Sequence, residues 1–170
     1  MALRLRIETA RLILEPLDAR WKDDLTRLFN DPQVAAWLFL TGPPTPEELS
    51  QRIAAAEALW RERGYGLFAV LDKRDEKFVA RVGALVTPET GRVEIAWSTV
   101  REAWGQGFAS EAAEASIEFT FARSNLAALD CYVRPDNGAS RRVAEKVGFR
   151  YHDTRWAYDR VVRYYRLPRP

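Results

Sequence analysis

Two short segments of this chain carry residue types that could do chemistry. The first is Trp104-Gly105-Gln106-Gly107-Phe108-Ala109-Ser110-Glu111-Ala112, ahead of a helical stripe of Phe108, Ala112, Ala115, Phe119 and Ala122. Two glycines let a main chain approach a ligand closely, and a helix start adds unpaired N–H groups and the positive end of its dipole. Gly105 to Ser110 could therefore cradle a phosphate or pyrophosphate without a lysine. A glycine turn that merely caps a helix would look the same. The spacing is neither G-x-G-x-x-G nor G-x-x-x-x-G-K-S/T, so hydride and phosphoryl transfer lack their usual signature. The second segment runs from Pro135 through Asn137 and Ser140 to Lys146-Val147-Gly148-Phe149. Asn137 ends a strand and can donate and accept, Ser140 lies one helical turn on, and both can face one cleft. The plainer alternative is an Asn cap and a Gly terminator.

Single residues narrow the chemistry further. Cys131 is the only cysteine and His152 the only histidine. No internal disulfide can form, a structural zinc site of Cys and His is excluded by count, and a reducing cytoplasm suits the chain. Apolar neighbours make Cys131 inert core and not a nucleophile. No Asp/Glu cluster has calcium-loop spacing, so no metal is expected.

Periodicity supplies the elements that must position these groups. Arg11 to Glu15 reads as a strand. Asp18 caps a helix on which Trp21, Leu25, Leu28 and Phe29 recur, and Asp31-Pro32 opens a short second helical turn. Thr45-Pro46-Glu47-Glu48 is a strong helix start, continued by Leu49, Ile53 and Trp60 to Gly64. The period then falls to two: Tyr65–Leu71, Phe78–Val86 and Arg92–Val100 form an antiparallel meander. On its third strand Val93, Ile95 and Trp97 face one way and Glu94, Ala96 and Ser98 the other. A helix from Phe108, a strand Leu126–Val133, a helix Ala139–Val147 and a hairpin of Phe149–Trp156 with Arg160–Leu167 complete the chain. The order β-α-α-β-β-β-α-β-α-β-β is a mixed α/β sheet.

With 47% hydrophobic and 29% charged residues in 170, the composition is that of one globular domain, 1–170, and excludes a disordered chain. The longest apolar run, Val34 to Leu40, falls far short of the roughly 20 residues that cross a bilayer. Charges stand at the N-terminus where a signal peptide has its apolar core, so neither membrane nor export is expected. Lys plus Arg is 26 against 24 Asp plus Glu, for a net charge of +2. Only Lys22, Lys73, Lys77 and Lys146 are lysines, and the arginines cluster no further than pairs such as Arg141-Arg142, with acids between. Nucleic acid is therefore not an expected partner.

Together, the two segments with one strand between them resemble the GNAT superfamily of acyl-CoA-dependent N-acetyltransferases. In that family a loop written Gln/Arg-x-x-Gly-x-Gly/Ala wraps the coenzyme A pyrophosphate. Gly107-Phe108-Ala109 matches its last three positions, whereas Gln106 is displaced. The fuller string W-G-Q-G-F-A-S-E-A is similar to the Rim-type branch, which acetylates protein N-termini. The Asn137…Ser140…Lys146 segment resembles that branch's second marker, Thr9 to Leu14 its opening strand and Asp31-Pro32 its second helix.

The resemblance implies a mostly antiparallel sheet of about seven strands flanked by about four helices. It implies acetyl-CoA as co-substrate, held by Trp104, Gly105, Gln106, Gly107, Phe108, Ala109 and Ser110, by Asn137 and Ser140, and by the main chain of Trp97, Ser98 and Val100. Acetyl transfer also needs a neutral amine, so a proton must leave before attack. Glu94 matches the glutamate used as base in several branches; a strand Glu paired with Arg92 or another arginine is the alternative. Many members place a Tyr two residues before Lys146, where this chain has Ala144, so the leaving thiol would find Ser140, Tyr151 or no acid at all. Trp37, Phe39, Trp60 and Tyr65 could line an acceptor cleft or fill the core. The implied acceptor is the N-terminal α-amine of a protein or peptide, attacked directly. The alternatives are a small polyamine-like or antibiotic-like amine and a non-catalytic acyl-CoA-binding module. A monomer or homodimer fits either acceptor.

Overall fold

The computed structural model describes residues 5–170; Met1 to Arg4, the start of the charged N-terminal run, lie outside the described residues. Strands β1 (Ile7–Glu8) and β2 (Leu12–Pro16) lead into helices α1 (Lys22–Asn30), α2 (Pro32–Leu38) and α3 (Pro46–Arg63). The meander β3 (Leu67–Asp72), β4 (Phe78–Val86) and β5 (Val93–Thr99) follows. Then come α4 (Phe108–Ala122), β6 (Ala128–Val133), α5 (Gly138–Lys146) and the hairpin β7 (Arg150–Ala157) and β8 (Arg160–Pro168). The strands form one sheet in the order β1-β2-β3-β4-β5-β6-β8-β7, antiparallel throughout except between β5 and β6.

Among the described residues, eight strands and five α-helices stand where about seven and about four were expected. The additional strand, β1, pairs only Ile7 with Leu14 and Glu8 with Ile13, too short a run for alternation to show. The helix not counted in the expected order is α2, the short turn expected at Asp31-Pro32. The extended backbone of Asp31 ends α1, while its carboxylate accepts from the N–H groups of Gln33 and Val34 and caps α2. Asp18 caps a 3-10 turn, Ala19–Trp21, instead of the α-helix itself. The start of α3 is as its sequence dictates: Thr45 accepts from Glu48 N–H, and Glu48 returns the bond to Thr45 N–H.

Both faces of the sheet are covered. On one, α4 buries Phe108, Ala112 and Ala113 against Phe68, Val70 and Val82. On the other, α1 and α3 bury Leu25, Leu28 and Ile53 against Ile13, Leu71 and Phe78. Each of the larger side chains withdrawn from water contributes roughly 1.5–3 kcal/mol, and each alanine less, so the sheet is a stiff platform. Its one weakness matters most. β4 and β5 pair continuously from Ala80↔Thr99 to Val86↔Val93, yet β5 and β6 share only Glu94↔Asp130. Beyond Glu94 the two strands part.

Candidate functional site

The parting of β5 from β6 opens a cleft of about 1410 Å³, running from the Gly105–Ser110 loop past Trp97 and Glu94 to Phe39 and Leu40. Glu94 stands at the fork and is only 4% exposed. Its Oε2 accepts from Tyr158 Oη at 2.7 Å and from Thr87 Oγ1, while Oε1 accepts no hydrogen bond among the described residues. The arginine that could have paired with it is taken: Arg92 bonds Asp130 at 2.7 Å. Burial pushes the Glu94 carboxyl up to about 7, against the pull of the two hydroxyl donors and the more distant Arg81 charge. A carboxylate poised near neutrality with one free oxygen is suited to take a proton.

Thr87 and Tyr158 escaped the sequence reading. Tyr158 sits in the two-residue turn of the β7–β8 hairpin, where Tyr158 and Asp159 have φ of 54° and 56°. Its spacing signals a hairpin, and nothing local says that the ring reaches Glu94. Burial and the neighbouring Glu94 push its hydroxyl well above the usual phenol range, so it remains a donor.

Gly105 and Gly107 have φ of 75° and 79°, in the left-handed region. Among the described residues no N–H from Gly105 to Ser110 donates to a backbone carbonyl; the first paired amide is Glu111, on Gly107 O at 3.1 Å. A Cβ at Gly107 would meet only Arg11 Nη2, at 3.3 Å. Arg11 braces the loop from behind. Its Nη1 donates to Gln106 O at 2.8 Å and its Nε to Glu111 Oε2 at 2.7 Å, while Glu111 Oε1 accepts from Thr9 Oγ1 at 2.6 Å. The free amides and the cleft fit a pyrophosphate and its pantetheine arm. Gln106 does not line the cleft; its side-chain amide donates to Glu102 O at 2.9 Å. Trp104 does line it, with Nε1 on Thr99 O at 3.1 Å.

Strand geometry divides the expected main-chain contacts. Val100 N–H donates to Val79 O at 2.9 Å. Alternate residues of an antiparallel ladder face the same neighbour, so Ser98 also turns its main chain to β4. The polar groups on the open edge are those of Trp97 and Thr99. Val100 packs into the core and is absent from the cleft, a correction to its expected place.

Asn137 Oδ1 accepts from Ser140 N–H at 3.0 Å, so it does cap α5, yet both residues line the cleft. Ser140 Oγ lies 3.4 Å from Trp97 Nε1. Ala144 is fully buried, and Tyr151 points away: 46% exposed, it bonds Thr154 Oγ1 at 3.0 Å and is not part of the cleft. Cys131 is buried, and burial beside Glu94 and Asp130 pushes its thiol up, which keeps it a poor nucleophile. Trp37 and Phe39 line the cleft, whereas Trp60 is core, its Nε1 on Leu67 O at 2.7 Å, and Tyr65 is buried beside Ile95.

Residues 11–150 match the acetyltransferase (GNAT) domain family. An uncharacterized N-acetyltransferase, p20, of Bacillus licheniformis is 28% identical over 142 residues, 83% of this chain and 80% of its own. An acetyltransferase structure from Agrobacterium tumefaciens superposes with a TM-score of 0.85 at 24% identity, covering 97% of this chain and 95% of that one. The RimL ribosomal L7/L12 alpha-N-protein acetyltransferase, solved with coenzyme A, has a TM-score of 0.79 at 18% identity, covering 96% and 98%. These two likenesses are likenesses of fold.

Proposed function

This chain belongs to the acetyltransferase (GNAT) family, and we propose that the amine it acetylates is the α-amine of a protein or peptide N-terminus. It is an acetyl-CoA-dependent N-acetyltransferase, not a non-catalytic binding module. The observation that carries the acceptor reading is the Glu94 carboxyl, raised by burial to about 7 at the fork of β5 and β6. An α-ammonium near 8 lies about one unit above such a base, and a lysine near 10.4 about three, so only the first gives up its proton cheaply. The name of the RimL fold neighbour, an alpha-N-protein acetyltransferase, supports the same choice.

The co-substrate supplies an activated acetyl group as a thioester. In this reading the unpaired amides of Gly105 to Ser110 hold its pyrophosphate. The open edge of β5 at Trp97 binds the pantetheine arm and donates one N–H to the carbonyl oxygen. Glu94 takes the amine proton through Oε1, directly or by way of a water. The C–N bond forms as the C–S bond breaks, and the departing sulfur takes up a proton, with Ser140 Oγ the hydroxyl on this side of the cleft. Asn137, beside it, orients the helix start that carries Ser140.

Release of free thiol, measured over three acceptor sets, tests the reading. Unblocked peptides should be acetylated fastest, ahead of N-blocked peptides carrying a free lysine and ahead of polyamines. Equal rates on blocked and unblocked peptides, or a polyamine in the lead, would overturn it.

A further inference from the structure

A second charged group shares the Glu94 face of the sheet. Arg81 on β4 stands opposite Ser98, whose side chain points to the same side as that of Glu94. Among the described residues, its only side-chain hydrogen bond is from Nη2 to Ser98 Oγ, at 2.9 Å. Among the described residues its Nε is enclosed without a partner and it forms no ion pair; the carboxylate whose charge it feels is that of Glu94, beyond ion-pair distance. The guanidinium rests 5.6 Å from the Phe29 ring centroid on the cleft wall. Burial and the like charge of Arg52 push it down to about 10, which leaves it cationic at neutral pH. Arg52, over Phe39 at 5.6 Å, lines the same end of the cleft and among the described residues also forms no ion pair.

Several arginines outside the cleft hold carboxylates, whereas the Nε atoms of Arg141 and of Arg160, which also lines it, are enclosed without a partner like that of Arg81. Arg74 holds Asp72 at 2.6 Å, Arg155 holds Asp153 at 2.6 Å and Arg11 holds Glu111 at 2.7 Å. A partly buried guanidinium using one of its five donors is costly unless something else supplies the rest. Planar forked donors at the bottom of a cleft suit a carboxylate.

We propose that Arg81 binds a carboxylate carried by the acceptor, so that the acetylated amine belongs to an acidic molecule. The proposal rests on the acceptor lying beside Glu94 as described above. Ser98 is four residues along β5 from Glu94, about 13 Å at strand rise, and the Arg81 arm shortens that span. The carboxylate therefore sits within one or two residues of the reacting amine. An Asp or Glu near the N-terminus of a peptide meets this requirement, as does the carboxylate of a free amino acid.

Two acceptor pairs separate these sources. One is an unblocked, C-terminally amidated peptide beginning Ala-Asp against its Ala-Asn counterpart; the other is alanine against alaninamide. In the native enzyme the carboxylate member of one pair should show a kcat/KM at least about tenfold higher, carried by KM, as for a hydrogen bond to a charged group. Arg81→Gln should bring that ratio near one, and Arg81→Lys should restore part of it. Because any change in Glu94 ionisation affects both members alike, the ratio isolates the contact. Acetyl-CoA affinity by calorimetry checks that each variant is folded. Absence of preference in both pairs, or a preference that survives Arg81→Gln, sinks the inference. Neutral peptides turned over without preference leave the N-terminal reading standing and this one fallen. A ratio confined to alanine, with no peptide acetylated, does the reverse.

Discussion

Glu94 and Asp130 are neighbours on parallel strands, both carboxylates, both almost wholly buried, and they lead opposite lives. Asp130 is saturated. Arg92 bonds it at 2.7 Å, Tyr164 Oη at 2.9 Å, and Arg166 lies at 3.5 Å. Glu94 has two hydroxyl donors, both on Oε2, and no cation within ion-pair distance among the described residues. Burial alone would penalise either charge; Asp130 has cations against it, and Glu94 has none within ion-pair distance among the described residues. Asp130 serves the fold, and Glu94 is left for chemistry.

The largest expected effect tests that division directly. Glu94→Gln should lower kcat by about 10²–10⁴-fold while acetyl-CoA affinity stays nearly intact. Wild-type kcat in this variant would end the base assignment. Asp130→Asn should do the opposite, costing about 2 kcal/mol in denaturant unfolding with kcat per folded molecule little changed. The cost is moderate because the Arg92 side chain is 40% exposed and can turn to water.

Gly107→Val sharpens the contrast from a third point. It forces a β-branched residue to a φ of 79° and should weaken acetyl-CoA binding by about tenfold, without moving the pH inflection that Glu94 sets. Unchanged calorimetric affinity would remove the loop from the phosphate site.

Smaller effects lie in pH. kcat/KM should rise with pH through about 7 and then level, as Glu94 ionises. Tyr158→Phe removes a donor to the carboxylate, so the inflection should move up; a downward move would mean that Tyr158 does not support the charge. Stability carries the same signature. The folded carboxyl is raised to about 7 from an ordinary 4.5, so the unfolded chain ionises first and stability falls as pH rises between those values. That part of the slope should vanish in Glu94→Gln melts recorded from pH 5 to 8.

Much of this molecule is legible along the chain. The Thr45–Glu48 box, the Asp31-Pro32 start of α2 and the glycines before α4 act through bonds spanning two to four residues. Alternation alone puts Glu94 on the face opposite Ile95 and Trp97. Such features depend on neighbours in sequence, and local sterics and capping bonds determine them. The two-residue β1 was harder to see, being too short to show a period.

What made a strand glutamate into a poised base came from elsewhere. Tyr158 reaches Glu94 across 64 residues, Asp130 takes Arg92 across 38, and β6 leaves β5 after a single shared pair. Desolvation and the identity of a buried group's partners are properties of the packed sheet, set by residues distant in sequence, and no local pattern encodes them. The sequence by itself determined which residues could do chemistry and which face each would occupy. Only the tertiary structure decided that Asp130 would be ion-paired, that Glu94 would not, and that Arg81 would line the same cleft with no ion pair among the described residues.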